Sequence, residues 1–333
     1  MNKFYKMMFF SMLIISSIIT ISSYSWMMMW LGVEINLLSM IPLMMKKNNI
    51  YSSESSLKYF MIQSLASTLL LFSLLSMENY TKMINNENWM LMIIQSSLIM
   101  KIGMSPFHFW LPEVMEGLSW MNCLIMLTWQ KIAPMIMLMM TMKNSLMINF
   151  TILMSSLISG IQGLNQISLR KILTYSSINH MAWMMMSMMS SSWTWMMYFT
   201  IYSLTNFNLI YYFHSFKITM INQINMISNN KIYKMLIMMN FLSLGGIPPM
   251  IGFLPKWLTI HYMIMNMSMM LTTILIMSTL THIYFYIRII IPSLTMKNKE
   301  LKMKSINMNN IKFKFLFLNT TFLTSLPISC LFI

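Results

Sequence analysis

Four ionisable side chains stand in apolar stretches that otherwise carry no charge. Glu34 sits in WLGVEINLLSMIP, Lys101 in LIMKIGMSPFHFW, Lys131 in LTWQKIAPM and Lys256 in GFLPKW. Charged groups in such surroundings cost about 2.5–3.5 kcal/mol each on insertion scales, on the order of 10 kcal/mol for the set. A cost of that size calls for a function, and the chemistry these residue types suit is the taking up and releasing of protons. The sequence motifs of other chemistries are missing. There is no G-x-x-x-x-G-K, G-x-G-x-x-G, C-x-x-C or G-x-S-x-G, so no nucleotide cradle or nucleophile is indicated. Two cysteines, Cys123 and Cys330, are too few for an iron–sulfur cluster or a disulfide framework. The five histidines show no haem or zinc spacing.

The elements that must hold these groups are membrane helices. Of 333 residues, 57% are hydrophobic and 9% charged, against roughly 45–50% and about 25% in soluble domains. That excludes an ordinary water-soluble fold. The net charge of +15 does not make a nucleic-acid binder, because too little polar sequence accompanies it. Fifty methionines, no Asp and three Ala are the mark of an A+T-rich gene in which ATA is read as methionine. The methionines are therefore apolar filler rather than metal ligands. Lys3 and Lys6 precede an apolar run without a small-residue cleavage site, which predicts a retained first span and not a signal peptide.

Apolar stretches of about 20 residues cross a bilayer. They fall at 7–22, 24–45, 57–76, 89–111, 118–141, 145–165, 171–190, 193–216, 235–262, 268–291 and 312–333. The expected fold is all-α and polytopic, with about 11 transmembrane helices. Cytoplasmic-type loops carry Lys and Arg, and this count puts seventeen basic residues on one side, from Lys3 to Lys314, and only Lys82 and Lys143 on the other. The N-terminus then lies on the basic side and the C-terminus opposite.

Glu34, Lys101 and Lys131 fall near the middle of their spans. Two non-functional readings stand beside the proton pathway. Lys256 could snorkel from a helix end, and Glu34 could pair with Lys101 only to fix packing. Neither covers Lys131, since no acid occurs between Glu116 and Glu300. Desolvation works against the charged form of a buried ammonium, so a lysine at that depth can both accept and give up a proton. Two interruptions lie beside the lysines. Gly103 and Pro106 follow Lys101; Gly245, Gly246, Pro248, Pro249, Gly252 and Pro255 precede Lys256. Broken helices at membrane depth are tolerated only when buried in protein or lining a wet cavity. The breaks fall in spans four and nine, five apart, which predicts two inverted five-helix repeats, each with a discontinuous helix, as in secondary transporters. The expected bundles are residues 1–142 and 143–292, followed by a basic loop and C-terminal helix over 293–333. His108 and His180 are further candidates for proton relay, with hydrogen-bonded core roles equally open; His214, His261 and His282 read as structural. Glu113 and Glu116 read as solvated loop acids.

Six collinear stretches, WLGVEINLLSMIP, SSLKYFMIQSLAS, KIGMSPFHFWLPEVMEG, LTWQKIAPM, GLNQISLRKILTYSSINHMAWM and LSLGGIPPMIGFLPKW, resemble the chain 2 family of NADH-ubiquinone oxidoreductase. These are antiporter-like membrane subunits of mitochondrial respiratory complex I. The resemblance implies that Glu34 pairs with Lys101, that Lys131 is the central lysine, and that Lys256 lies near the outlet. It implies no cofactor on this chain: NADH, FMN, iron–sulfur clusters and ubiquinone would belong to partner subunits of the membrane and peripheral arms. Lipids are expected around it, in the mitochondrial inner membrane, with the N-terminus in the matrix and the C-terminus in the intermembrane space. Two rival functions are a self-standing cation/proton antiporter, which the absence of Asp disfavours because hard cations take carboxylates, and a structural spacer.

Overall fold

Long runs of Leu, Ile, Met and Phe have one open-chain solution in lipid, in which each backbone N–H is bonded within its own segment. Helices accordingly dominate the protein. The computed structural model describes residues 2–46, 49–80, 87–142, 146–224, 231–265, 268–295 and 319–320. The chain divides into two compact units, Met1–Thr151 and Ile152–Ile333.

In the first unit α1 (Asn2–Ser22) packs on α2 (Trp26–Met44), and α2 on α3 (Ile50–Tyr80). The long α3 also carries α4 (Glu87–Ile102) and α5 (Trp110–Gly117); α6 (Trp120–Leu127) leads into α7 (Trp129–Thr141), which packs on α4. Small residues let these helices approach, the usual device where lipid supplies no hydrophobic drive. A Cβ at Gly32 would lie 2.5 Å from Thr20 Cγ2, and one at Gly117 would run into the Tyr51 carbonyl. Hydroxyls buried at the α1–α2 contact are satisfied by their own helix, with Ser16 donating to the Leu13 carbonyl at 2.8 Å and Thr20 to Ser17 at 2.7 Å.

The second unit takes most of α8 (Leu146–Leu164) and then α9 (Leu169–Ser190), α10 (Ser192–Phe216), the single turn α11 (Ile221–Ile224), α12 (Lys231–Gly245), α13 (Phe253–Met265) and α14 (Met269–Thr295). Helix α9 is buried on nearly every face between Leu169 and Met188 and packs on α10 and α13. That enclosure is why it can carry Ser176, Ser177, Asn179 and His180, all buried. Helix α12 packs on α10 and α14, with Phe213, Phe241 and Tyr286 in successive ring contact. Asn208 of α10 donates to the Asn319 side chain at 2.9 Å, and Asn319 to the Tyr212 hydroxyl at 3.0 Å.

The distribution of polarity is that of a protein in lipid. Phe4, Leu65, Phe72, Trp193 and Met277 are exposed, while Ser16, Ser97, Asn206 and Ser155 are buried. Six stretches among the described residues are long and apolar enough to cross a membrane: Phe4–Ser22, Trp26–Met44, Ile50–Met77, Trp120–Thr141, Leu146–Leu164 and Met269–Ile291. The fourth and ninth expected spans are divided, between α4 and α5 and between α12 and α13. The fifth, expected to be continuous, is also interrupted, at Thr128, whose φ and ψ are −117° and −72°. The Thr128 hydroxyl donates to the Leu124 carbonyl at 2.7 Å, a back-bond that bends helices, and Pro134 inside α7 lacks the N–H that Gln130 would bond. Residues 110–117, in large part expected as a loop, form α5. Of the expected basic loop and eleventh span, residues 293–295 instead extend α14, and the rest lie outside the described residues apart from Asn319 and Thr320, as do Lys47, Lys82 and Lys143.

Candidate functional site

The last turn of a helix leaves four carbonyls without helical partners, and the first break is built on how those of α4 are satisfied. Gly103, in the left-handed region at φ +80°, donates its N–H to Ile99 and Met100, and Met104 donates to Ile99 at 3.2 Å. This is a Schellman closure, for which a glycine suits the positive φ. The Trp110 indole of α5 donates to the Met100 carbonyl at 3.2 Å, and the Gln63 amide of α3 to the Lys101 carbonyl at 3.1 Å. The Ser105–Pro106 peptide in the connection is cis.

This closure fixes Lys101 at the negative end of the α4 dipole, 5% exposed. Its Nζ has no hydrogen-bond partner among the described residues. Glu34 on α2 is half-buried; no ion pair within 4.0 Å joins it to Lys101 among the described residues. Lys131, 2% exposed, stands in the first turn after the Thr128 interruption, its N–H bonded to the Thr128 carbonyl at 3.2 Å. Lys101 and Lys131 line one cavity, together with Asn36, Tyr59, Gln63 and Gln130. The Gln130 amide donates to the Asn36 side chain at 2.8 Å. The volume of about 20 Å³ exceeds the roughly 10–15 Å³ that one buried water needs on the same measure. His108, 1% exposed, lies in the connection before α5 with Nδ1 3.1 Å from the Ser105 hydroxyl.

The second break repeats the closure. Gly246, at φ +75°, donates to Leu242 and Ser243, and Ile247 donates to Leu242 at 3.3 Å. The Pro248–Pro249 peptide is cis, and Pro255 lies in the first turn of α13. Lys256, 6% exposed, follows it and does not snorkel: its Nζ turns back to donate to the Gly245 carbonyl at 2.7 Å. Both lysines therefore neighbour the C-terminal carbonyls of the half-helix that ends at their break, one from before it and one from after. A Cβ on Gly246 would lie 2.8 Å from Lys256 Cδ, and one on Gly252 would collide with the Ser243 carbonyl. His180 on α9 has Nδ1 3.0 Å from the Tyr198 hydroxyl and lies against the rings of Tyr198 and Tyr202.

Two contributors escape a reading of the sequence alone. Thr128 shapes the approach to Lys131 without any glycine or proline at the break itself, the only hint being Pro134 two turns on. Glu113, expected in solvent, bonds Lys58 at 2.9 Å, and Lys58 bonds Glu54 at 3.0 Å, so this exposed cluster ties α5 to α3 beside the first break.

The family model described as "NADH:quinone oxidoreductase/Mrp antiporter, TM" matches residues 23–283. NADH-ubiquinone oxidoreductase chain 2 of Anopheles gambiae is 47% identical over 298 residues, covering 87% of this chain and 86% of that one. The protein of the same description from Locusta migratoria is 44% identical, covering 89% and 87%. Among solved structures, a chain of respiratory complex I from Thermus thermophilus superposes with a TM-score of 0.79 at 19% identity, over 86% of this chain and 70% of its own. A chain of the Mrp complex from Dietzia sp. DQ12-45-1b gives 0.75 at 13% identity, over 84% and 58%. These two structures share the antiporter-like fold.

Proposed function

The chain belongs to the NADH-ubiquinone oxidoreductase chain 2 family, within the NADH:quinone oxidoreductase/Mrp antiporter group, and from that membership we propose that it translocates protons as a membrane subunit of respiratory complex I. The observation that carries the reading is the cavity shared by Lys101 and Lys131, which brings two buried lysines to one water-sized space.

Glu34 stabilises the proton on Lys101 Nζ through space. A charge shift in a neighbouring subunit weakens that hold, and Lys101 passes its proton to Lys131 through water in the cavity. Asn36, Gln63 and Gln130 supply polar walls that a water can bond. The proton then moves on to Lys256 of the second unit, with His180 and His108 as further relays, and leaves on the side poor in Lys and Arg. Moving one proton against 100 mV costs about 2.3 kcal/mol. The residues above hold and pass protons but supply no such energy, so the drive comes from NADH oxidation and ubiquinone reduction in partner subunits.

The finer architecture belongs to the same proposal: about eleven spans in two inverted five-helix repeats, with Gly103 and Gly246 as equivalent closures. The protein sits in the mitochondrial inner membrane, its N-terminus in the matrix and C-terminus in the intermembrane space, with lipids on its apolar faces. Replacing Lys131 by Met in the assembled complex tests the pathway. The protons moved per NADH should fall; an unchanged yield with assembly intact would sink the proposal.

A further inference from the structure

The second unit buries another titratable group, which the pathway above leaves unused. His282 of α14 is 1% exposed. Its Nδ1 lies 2.9 Å from the Ser278 carbonyl; a carbonyl only accepts, so Nδ1 carries its hydrogen. Its Nε2 lies 3.0 Å from the hydroxyl of Ser159 on α8. That hydroxyl also reaches the Ser155 carbonyl of its own helix at 2.5 Å.

A serine hydroxyl has one hydrogen and two lone pairs. When the imidazole is neutral, the Ser159 O–H points at Nε2. When Nε2 takes a proton, its new N–H donates to Ser159 Oγ, and the hydroxyl hydrogen turns to the Ser155 carbonyl. Release reverses the rotation. Neither state strands a buried donor, so the usual penalty for an unmade bond is absent from both. A histidine that only fills space needs one such state, and this one has two.

The surroundings hold the ring while its partners switch. A Cβ on Gly160, next to Ser159, would collide with the Thr281 hydroxyl and lie 3.4 Å from His282 Cε1, and the Phe285 ring packs edge-on at 5.3 Å. Helix α8 brings no ionisable side chain. On α14 Arg288 donates to the Leu164 carbonyl, and on α12 the charged residues, Lys231 and Lys234, lie in the first turn. Lys256 lies on α13, which packs against α14.

We propose that His282, with Ser159 as its switching partner, is a second proton-holding side chain of this unit, besides Lys256. The proposal rests on the proton-translocating function above and deepens it.

Proton yield per NADH, measured against pH in sealed vesicles carrying the assembled complex, tests it with His282→Gln, Ser159→Ala and Lys131→Met. His282→Gln keeps hydrogen-bonding capacity but cannot titrate, and should lower the yield about twofold or more. Ser159→Ala keeps the imidazole and removes the switch, and should move the pH profile. If Lys131→Met loses yield while both other variants match the unsubstituted complex, the His282 proposal is overturned and the wider reading stands. If Lys131→Met also matches, the wider reading falls and this one with it. Should His282→Gln fail to assemble, the pH profile of Ser159→Ala decides alone.

Discussion

The Lys256 ammonium donates a 2.7 Å hydrogen bond to the Gly245 carbonyl, so a side chain of α13 closes the end of α12 across the break between them. A neutral amine still donates, so the tie survives loss of the proton. Gly246 makes room for it: besides its φ of +75°, a Cβ there would lie 2.8 Å from Lys256 Cδ. Gly246→Ala should therefore displace Lys256 and add about 1–2 kcal/mol of backbone strain. Gly245→Ala, whose Cβ would meet nothing nearer than 3.5 Å, should be tolerated far better. Thermal melting of the assembled complex, alongside proton yield, separates the two.

Filling the cavity between Lys101 and Lys131 should slow proton transfer while leaving both lysines in place. Ala133 lines it and is 1% exposed. Ala133→Val removes the space for water at an overpacking cost of about 1–3 kcal/mol. The expected outcome is lower proton yield per NADH in a complex that still assembles. Wild-type yield from such a complex would mean that no water in this cavity is needed.

Glu34 and Lys101 form no ion pair within 4.0 Å among the described residues, so Glu34→Gln should act on turnover and not on assembly. Removing its negative charge weakens the hold on the Lys101 proton, whereas Glu34→Asp keeps the charge. The rate of NADH oxidation in coupled vesicles should drop for Gln and recover in large part for Asp. Loss of the assembled complex in Glu34→Gln would point instead to a packing role.

Lys58, 39% exposed at its side chain, bonds Glu54 and Glu113, each 57% exposed. Exposed ion pairs contribute little because water and salt screen them. Lys58→Ala should leave proton yield unaltered and shift melting no more at low salt than measurement error allows. A large shift would show that the α3–α5 tie matters to the first break.

Much of this was legible in one dimension because lipid imposes a strict rule on sequence. Apolar length marked α1, α2, α3, α8 and α14, and glycine and proline beside a lysine marked both divided helices. The interruption at Thr128 was hidden because it depends on a hydroxyl turned to Leu124 and on Pro134 downstream, neither of which stops a helix by itself. The helix at 110–117 was hidden because Glu113 and Glu116 look like loop acids until Lys58 is placed beside them. Snorkelling remained open for Lys256 because the direction of a flexible side chain is set by its nearest acceptor, and Gly245 lies eleven positions away.

Residue types and their order establish that this chain is helical, lives in a membrane and belongs to the chain 2 family. Burial of apolar length and the cost of isolated charges depend on residue type and spacing, which are properties of the string. Helix packing is what brings Lys101 and Lys131 to one cavity, Lys256 to a helix terminus and His282 to Ser159. Hydrogen bonds act over about 3 Å, and which groups come that close is settled only when helices distant in sequence pack together.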